Sequence, residues 1–166
     1  MGPSSAPRSK KILDAKSAKA AAYDLLARKA WSRRDLIARL KRRGAPDEVA
    51  REVVAELEER GYVDDSAFAR QWADGRARRL GSHRLREELR QRGIAKPLAD
   101  AAVGAAFGDG EEKVRALEAA RKRLPALMKR NPNRAPARLR DFLLRRGYPA
   151  EVVASVVRRL CKIDED

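Results

Sequence analysis

Apolar residues recur along the chain at intervals of three and four, which is the spacing of one face of an α-helix. The clearest stripe lies in residues 49–57 and consists of Val49, Val53, Val54 and Leu57. Turn residues precede it, since Gly44 is typical of a helix C-terminus and Pro46 of a helix start. Ala, Leu, Arg and Glu, which favour helices, supply much of the remaining sequence. The pattern therefore predicts an all-helical chain.

The pattern is also repeated at fixed offsets. Residues 36–57 and 139–160 are identical at eleven of 22 aligned positions, without a gap, at a constant offset of 103. A weaker copy lies between them at an offset of 49, and it matches the first at Leu85, Leu89, Arg92, Gly93, Leu98 and Val103. Self-similarity of this kind indicates an array of structural repeats. We predict three copies of one three-helix unit.

Capping residues mark the helices within each copy. In the first copy, Ser32 followed by Asp35 predicts an N-cap for the second helix. In the second copy, Ser82 is the predicted cap of the corresponding helix. The residues that we expect to end or open the other helices are Gly44, Gly93, Pro136, Gly147 and Pro149.

These features predict an all-α fold of three tandem three-helix repeats. A unit of this size is marginal alone, so we expect the repeats to stack into an elongated, curved array. The predicted organisation is a flexible basic tail at 1–16, repeat 1 at 17–63, repeat 2 at 64–109, repeat 3 at 110–163 and an acidic end at 164–166.

Composition narrows the class of protein. Lys and Arg number 39 against 24 Asp and Glu in 166 residues, so the formal net charge is +15. The sequence contains no apolar run of the length that crosses a membrane and no signal-peptide core near its start. We therefore expect a cytoplasmic protein without a membrane partner. The single cysteine, Cys161, and the single histidine, His83, cannot form an internal disulfide or a usual zinc site.

Catalytic chemistry has few candidates in this sequence. The pairs Glu58-Glu59 and Asp64-Asp65 could hold Mg²⁺ or act as an acid and a base. We favour the interpretation that they are charges at helix ends on a solvated surface. Phosphate-binding loops of the Walker type are absent from the sequence. We expect no catalytic residue, no cofactor and no metal, and hence a protein that is not an enzyme.

The positive charge is unevenly distributed. Residues 47–65 carry a net charge of −6, whereas residues 70–92 carry +5 and residues 113–146 carry +10. Arg predominates over Lys in the basic segments, which suits bidentate contacts with phosphate or carboxylate. A polyanion is the predicted partner, with nucleic acid the leading candidate. The candidate contacts are Arg70, Arg76, Arg78, Arg79, Arg84, Arg121, Lys122, Arg123, Lys129 and Arg130.

The aromatic residues do not predict base recognition. Phe68 and Trp72 are four positions apart on one helical face, a spacing that is more typical of a core than of a stacking surface. Without an aromatic platform, binding to single- or double-stranded DNA should be electrostatic and weakly sequence-specific.

Two segments of the second copy resemble the RecX family of bacterial regulatory proteins. The first is Gly61-Tyr-Val-Asp-Asp-Ser-Ala-Phe-Ala69, which continues to Trp72 and Arg76, and the second starts at Gly81-Ser-His-Arg-Leu85. The positions that carry the resemblance are Asp64, Asp65, Phe68, Trp72, Arg76, Gly81, Leu85, Leu89 and Gly93. Two positions depart from the family pattern: Ala67 replaces a usual basic residue, and Gly81-Ser82-His83 is shorter than the usual Gly-x-Gly-Pro turn.

The resemblance implies tandem three-helix repeats, in agreement with the internal repeat. It also implies a protein that binds filaments of the recombinase RecA on DNA and inhibits their extension, ATP hydrolysis and strand exchange. We expect such a protein to be a monomer. The alternative is a general helical DNA-binding or architectural protein that acts without RecA, and an enzyme is the third interpretation.

Overall fold

The computed structural model describes residues 11–162, which form nine α-helices and one short 3-10 helix. Residues 1–10 of the predicted basic tail and the predicted acidic end at 164–166 lie outside the described residues. The helices are α1 (Ala15–Arg28), α2 (Arg33–Arg43), α3 (Asp47–Glu59), α4 (Asp65–Arg76), α5 (Ser82–Gln91), α6 (Lys96–Phe107), α7 (Glu111–Arg130), the 3-10 helix (Pro132–Arg134), α8 (Ala135–Arg146) and α9 (Ala150–Cys161).

The predicted all-α fold of tandem three-helix repeats is confirmed. Helices α1–α3, α4–α6 and α7–α9 form the three repeats, and residues 11–162 contain no strand. The predicted repeat boundaries at 63/64 and 109/110 fall between α3 and α4 and between α6 and α7. The chain divides into two compact units, Met1–Asp65 and Ser66–Asp166, which we call unit 1 and unit 2.

Unit 1 contains repeat 1 around a small aliphatic core. Val54 and Leu57 of α3 are completely buried, as the stripe at 49–57 predicts, and so are Leu36 and Leu40 of α2. The predicted cap is confirmed, since the Ser32 side chain accepts a hydrogen bond from the Asp35 amide at 3.2 Å. The sequence therefore indicates the start of α2 through its cap and the buried face of α3 through its periodicity.

The end of α2 also fixes the path of the segment before α1. Gly44 adopts the left-handed conformation, with φ of 111°. A Cβ atom at this position would lie 2.5 Å from the carbonyl oxygen of Lys11. The amide of Leu13 donates to the Gly44 carbonyl at 3.0 Å. Gly44 thus serves both as a helix terminator and as a close-packing position.

Unit 2 contains repeats 2 and 3, each with its own core. Leu85 and Leu89 of α5 are completely buried in the first core, and Leu139 and Leu143 of α8 in the second. These pairs occupy the positions that match Leu36 and Leu40 in repeat 1. The sequence repeat is therefore a repeat of core positions.

Backbone hydrogen bonds join repeat 2 to repeat 3 within unit 2. The Gly81 amide donates to the Arg146 carbonyl at 2.8 Å, and the His83 amide donates to the Gly147 carbonyl at 3.0 Å. A Cβ atom at Gly81 would overlap the backbone of Gly147 and Tyr148. The turn before α5 therefore lies directly against the turn after α8.

The predicted capping role of Ser82 is wrong. Ser82 is the first residue of α5 and is buried, while Gly81 occupies the cap position without a side chain that could accept a hydrogen bond. The missing acceptor comes from repeat 3, where the Glu112 carboxylate accepts from the Ser82 amide at 2.6 Å. A tertiary contact replaces the local cap, and local sequence does not encode it.

Candidate nucleic-acid interface

Most of the positive charge belongs to unit 2. The sequence of unit 2 has 24 Lys and Arg against 13 Asp and Glu, a net charge of +11, whereas unit 1 has 15 against 11, a net charge of +4. A surface with this excess attracts polyanions at long range. Unit 2 is therefore the better candidate for a polyanion-binding site.

Helices α7 and α8 each present basic residues on one face. Arg115, Lys122 and Arg123 of α7 are separated by seven and eight positions, so they lie on one side of the helix. The same spacing relates Arg138 of α8 to Arg145 and Arg146. Because α7 and α8 pack against each other, the two basic faces border a common depression.

The depression has two adjoining cavities. The larger, of about 380 Å³, is lined by Arg78, Arg79, Arg115, Glu118, Ala119, Lys122, Arg123, Phe142 and Arg146. The smaller, of about 220 Å³, is lined by Arg123, Leu127, Arg130, Arg138, Asp141, Phe142 and Arg145. Arg123 and Phe142 border both cavities, so we treat the two as one site and call it the basic cleft.

The charges of the basic cleft are poorly compensated. Nine of its lining residues are basic, and only Glu118 and Asp141 are acidic. Arg115 forms an ion pair with Glu111 at 2.7 Å. Within residues 11–162, the other eight basic side chains of the cleft form no ion pair with a carboxylate. They remain able to bind the oxygens of a polyanion.

The protein orients two cleft arginines without neutralising them. Arg146 donates from Nη1 to the carbonyl oxygen of Arg79 at 2.9 Å. The Arg146 guanidinium lies 5.1 Å from the centre of the Phe142 ring, and that of Arg123 lies 5.7 Å from the same centre. Cation–π and carbonyl contacts hold a guanidinium in place but leave its charge available.

Five of the ten predicted contact residues line the basic cleft, and five do not. Those in the cleft are Arg78, Arg79, Lys122, Arg123 and Arg130. Arg121 and Lys129 are exposed on α7 but do not line either cavity. Arg70 donates to the Ser66 hydroxyl at 2.8 Å, while Arg76 and Arg84 pair with Glu88 at 3.4 and 3.5 Å.

The residues that carry the family resemblance have structural contacts in repeat 2. Trp72 stacks on the buried Phe68 and donates from Nε1 to the Glu88 carboxylate at 3.0 Å. The Arg76 guanidinium lies 3.6 Å from the centre of the Trp72 ring. Gly93 follows α5 with φ of 78°, as a helix terminator does. The prediction that Phe68 and Trp72 serve the core is confirmed.

The paired aspartates lie at a helix start. Asp65 begins α4, and its carboxylate accepts a hydrogen bond from the Arg33 amide at 2.8 Å, which supports the start of α2. Asp64 precedes it and is exposed. Within residues 11–162, no group of three His, Cys, Asp or Glu residues could hold a metal ion. In the same residues, no helix has the length and apolar character needed to cross a membrane.

Two groups of unit 2 have pKa values displaced by their surroundings. Hydrogen bonds from Arg90 and Gln91 lower the pKa of Glu87 to about 2. Burial raises the pKa of Tyr148, whose hydroxyl is buried and has no hydrogen-bond partner among the described residues. Neither residue lines the basic cleft.

Sequence reasoning missed the one aromatic residue of the cleft and four of its nine basic residues: Phe142, Arg115, Arg138, Arg145 and Arg146. Helical periodicity could have identified these residues, whereas clusters of adjacent charges could not. On α8, the spacing of four from Arg138 to Phe142 and of four more to Arg146 indicates one face. The missing information was which face of α8 the neighbouring helices leave open.

Comparisons with known proteins agree with the three-repeat fold. Sequence models of RecX match all three repeats: the first three-helix domain at 18–57, the second at 64–103 and the third at 111–157. The regulatory protein RecX of Amycolatopsis mediterranei is 34% identical over 145 residues, which cover 86% of this chain and 82% of that protein. The regulatory protein RecX of Thermobifida fusca is 37% identical over 143 residues, which cover 85% and 77% respectively.

Solved structures show the same fold. A crystal structure of RecX from Lactobacillus salivarius superposes with a TM-score of 0.78 at 15% identity, covering 90% of this chain and 97% of that one. A crystal structure of a regulatory protein RecX superposes with a TM-score of 0.76 at 22% identity, and the match covers 85% of this chain and 73% of that one. The three matched domains and the two relatives described above establish that the chain belongs to the RecX family.

Proposed function

We propose that this protein binds RecA filaments assembled on DNA and inhibits their extension, ATP hydrolysis and strand exchange in DNA repair, homologous recombination and the SOS response. RecA as the partner follows from the RecX resemblance of the sequence. The sequence and the structure support binding to the DNA of the filament, since unit 2 combines a net charge of +11 with a basic cleft.

The observation that carries the DNA-binding part of the proposal is the convergence of nine basic side chains, with only two carboxylates, on one cleft. Arg115 and Arg130 mark its two ends on α7, and 15 residues of helix span about 22 Å. A groove of this length follows an extended nucleic-acid backbone over several nucleotides. Guanidinium groups that are oriented but uncompensated bind phosphates without reading sequence.

The cleft accounts for inhibition by holding DNA that a filament needs. A strand whose phosphates are bound in the cleft is unavailable to the next RecA protomer. Contact with RecA through other surfaces would make the DNA contact intramolecular and so raise its effective concentration. Inhibition should then require fewer copies than there are RecA protomers. We expect the protein to act as a monomer in the cytoplasm, together with the chromosome.

The second candidate is a general DNA-binding or architectural protein that acts without RecA. The composition of the basic cleft favours it equally, because phosphate contacts do not depend on a protein partner. The two candidates differ in their dependence on RecA. For the filament regulator, DNA binding supports contact with the RecA filament. For the architectural protein, DNA binding is the whole activity.

The test is RecA ATP hydrolysis on single-stranded DNA, measured while the full chain is titrated in at physiological salt. The proposal predicts inhibition well below one copy per RecA protomer, without relief by an excess of free DNA. Inhibition only when the protein saturates the DNA would contradict it and would favour the architectural protein. An order-of-addition control, with filaments formed first, separates blocked extension from blocked nucleation.

A further inference from the structure

Phe142 is the only aromatic residue that lines the basic cleft in the described part of the chain. It is half-buried on α8 and borders both cavities, so it lies where they adjoin. Its neighbours along the helix are Asp141, which lines the smaller cavity, and the buried Leu143. Phe142 also packs against the core of repeat 3, so its side chain contacts both the core and the cleft.

We propose that Phe142 stacks on a base of single-stranded DNA and makes the basic cleft selective for single strands over duplex. The inference rests on the proposed function, because it needs the cleft to hold DNA. It goes beyond that function by adding a contact to the bases and a preference for one form of DNA. It also replaces the expectation of purely electrostatic binding.

The surroundings of the ring suit a nucleotide. Arg123 and Arg146 have their guanidinium groups 5.7 and 5.1 Å from the ring centre, near the outer limit of about 6 Å for cation–π contacts. Long flexible side chains at these distances can move to flanking phosphates while a base takes the open part of the ring. Stacking of this kind accepts every base, because each has a π-face.

Duplex DNA cannot use the ring in this way. Its bases are stacked on one another, so a half-buried side chain that lines a cleft meets only the sugar–phosphate exterior. Both forms of DNA would contact the basic side chains, but only a single strand would also contact Phe142. Because stacking does not release counterions, its contribution should be independent of salt, unlike that of Lys122 or Arg123.

The test measures binding of the full chain to a fluorescently labelled oligothymidylate and to a duplex of equal length, at two salt concentrations. Phe142→Leu removes the aromatic ring but keeps an apolar side chain, and Phe142→Trp restores an aromatic surface. Tyr62→Leu is the matched control, because Tyr62 is an exposed aromatic residue of unit 1 that does not line the cleft. Circular dichroism confirms that each variant is folded.

We expect Phe142→Leu to weaken binding of the single strand about tenfold at both salt concentrations, and to change duplex binding by less than about twofold. Phe142→Trp should restore single-strand affinity, and Tyr62→Leu should behave as wild type. An equal loss for both forms of DNA would overturn the inference, because the ring would then only position Arg123 and Arg146. Unchanged single-strand affinity would overturn it as well.

A charge-reversal variant separates this inference from the proposed function. Lys122→Glu with Arg123→Glu should weaken binding of both forms of DNA if the cleft holds phosphates. If that variant binds both forms as wild type does, the cleft is not the DNA site and the proposed function loses its support. If it weakens both while Phe142→Leu leaves the preference for single strands unchanged, only the stacking contact is wrong.

Discussion

Gly81 and Gly147 pack backbone against backbone where repeat 2 meets repeat 3. A Cβ atom on Gly81 would overlap the carbonyl group of Gly147, and one on Gly147 would overlap the backbone of Arg84. The Gly81 amide also donates to the carbonyl of Arg146, whose side chain extends to the carbonyl of Arg79. The close packing of the two glycines therefore keeps Arg79 and Arg146, two of the five arginines that border the larger cavity of the basic cleft, next to each other.

Replacing Gly81 with alanine should strongly destabilise the protein. Gly81 has φ of −81°, which alanine adopts readily, so the penalty is steric rather than conformational. The overlapping atoms belong to backbone, which cannot move aside as a flexible side chain can. We expect a loss of about 3 kcal/mol in the free energy of unfolding, measured by urea denaturation.

Gly104→Ala is the matched control for this substitution. Gly104 lies within α6, and a Cβ atom there would meet no neighbouring atom within 4 Å. Alanine is the better helix former, so this variant should be more stable by about 0.5–1 kcal/mol. Equal effects of the two substitutions would refute the close packing of the Gly81 turn.

Replacing Tyr148 with phenylalanine should stabilise the protein. The Tyr148 side chain is 2% exposed, and its hydroxyl has no hydrogen-bond partner within residues 11–162. Removing a buried polar group without a partner relieves its desolvation penalty, so we expect a gain of about 1 kcal/mol by urea denaturation. Tyr62→Phe, at an exposed tyrosine, should change nothing. A loss of stability on Tyr148→Phe would mean that the hydroxyl is bonded after all.

The ion pair of Glu87 with Arg90 should be visible in acid titration. Arg90 and Gln91 lower the pKa of Glu87 from its usual 4.5 to about 2, so the interaction stabilises the fold above pH 4.5 and is lost as the pH falls towards 2. Arg90→Gln should raise the pKa of Glu87 towards 4.5, as measured by NMR of the side-chain carboxyl carbon. The pKa of Asp47, held at about 2 by Arg51 and Lys41 in unit 1, should not move. An unchanged pKa of Glu87 would contradict the pairing.

The repeat and its core could be predicted from the sequence because the core leucines recur at the same positions in each copy. Leu36, Leu85 and Leu139 occupy one core position, and all three are completely buried. The Ser32 cap involves residues three apart, which sequence spacing reveals. The start of α5 depends instead on Glu112, 30 residues from Ser82, and no local pattern encodes such a contact.

The basic cleft could be predicted in part, for a similar reason. Charge counting identified the basic segments, and Lys122 and Arg123 do line the cleft. Adjacent residues on a helix point in different directions, however, so Arg121 of the same cluster lies outside it. Phe142 gave no signal of its own, because its role depends on the open side of α8, which only packing determines.

Two pairs of basic residues on α7 provide a matched test of the cleft. Lys122→Glu with Arg123→Glu reverses two charges inside it, and Arg121→Glu with Lys129→Glu reverses two exposed charges outside it. Both variants have the same net charge. In single-strand binding, the first should flatten the log–log dependence on salt by about 1.4, the value for two lost phosphate contacts. The second should keep the wild-type slope, and equal slopes for the two variants would show that only overall charge matters.

The most direct test of the whole account is RecA ATP hydrolysis on single-stranded DNA, titrated with wild type and with these two variants. We expect half-inhibition by the Lys122→Glu, Arg123→Glu variant to require at least about tenfold more protein than half-inhibition by wild type. Arg121→Glu with Lys129→Glu should inhibit as wild type does, since neither residue lines the basic cleft. Equal potency of the two variants would contradict the assignment of the cleft as the surface through which this RecX-family protein acts on the filament.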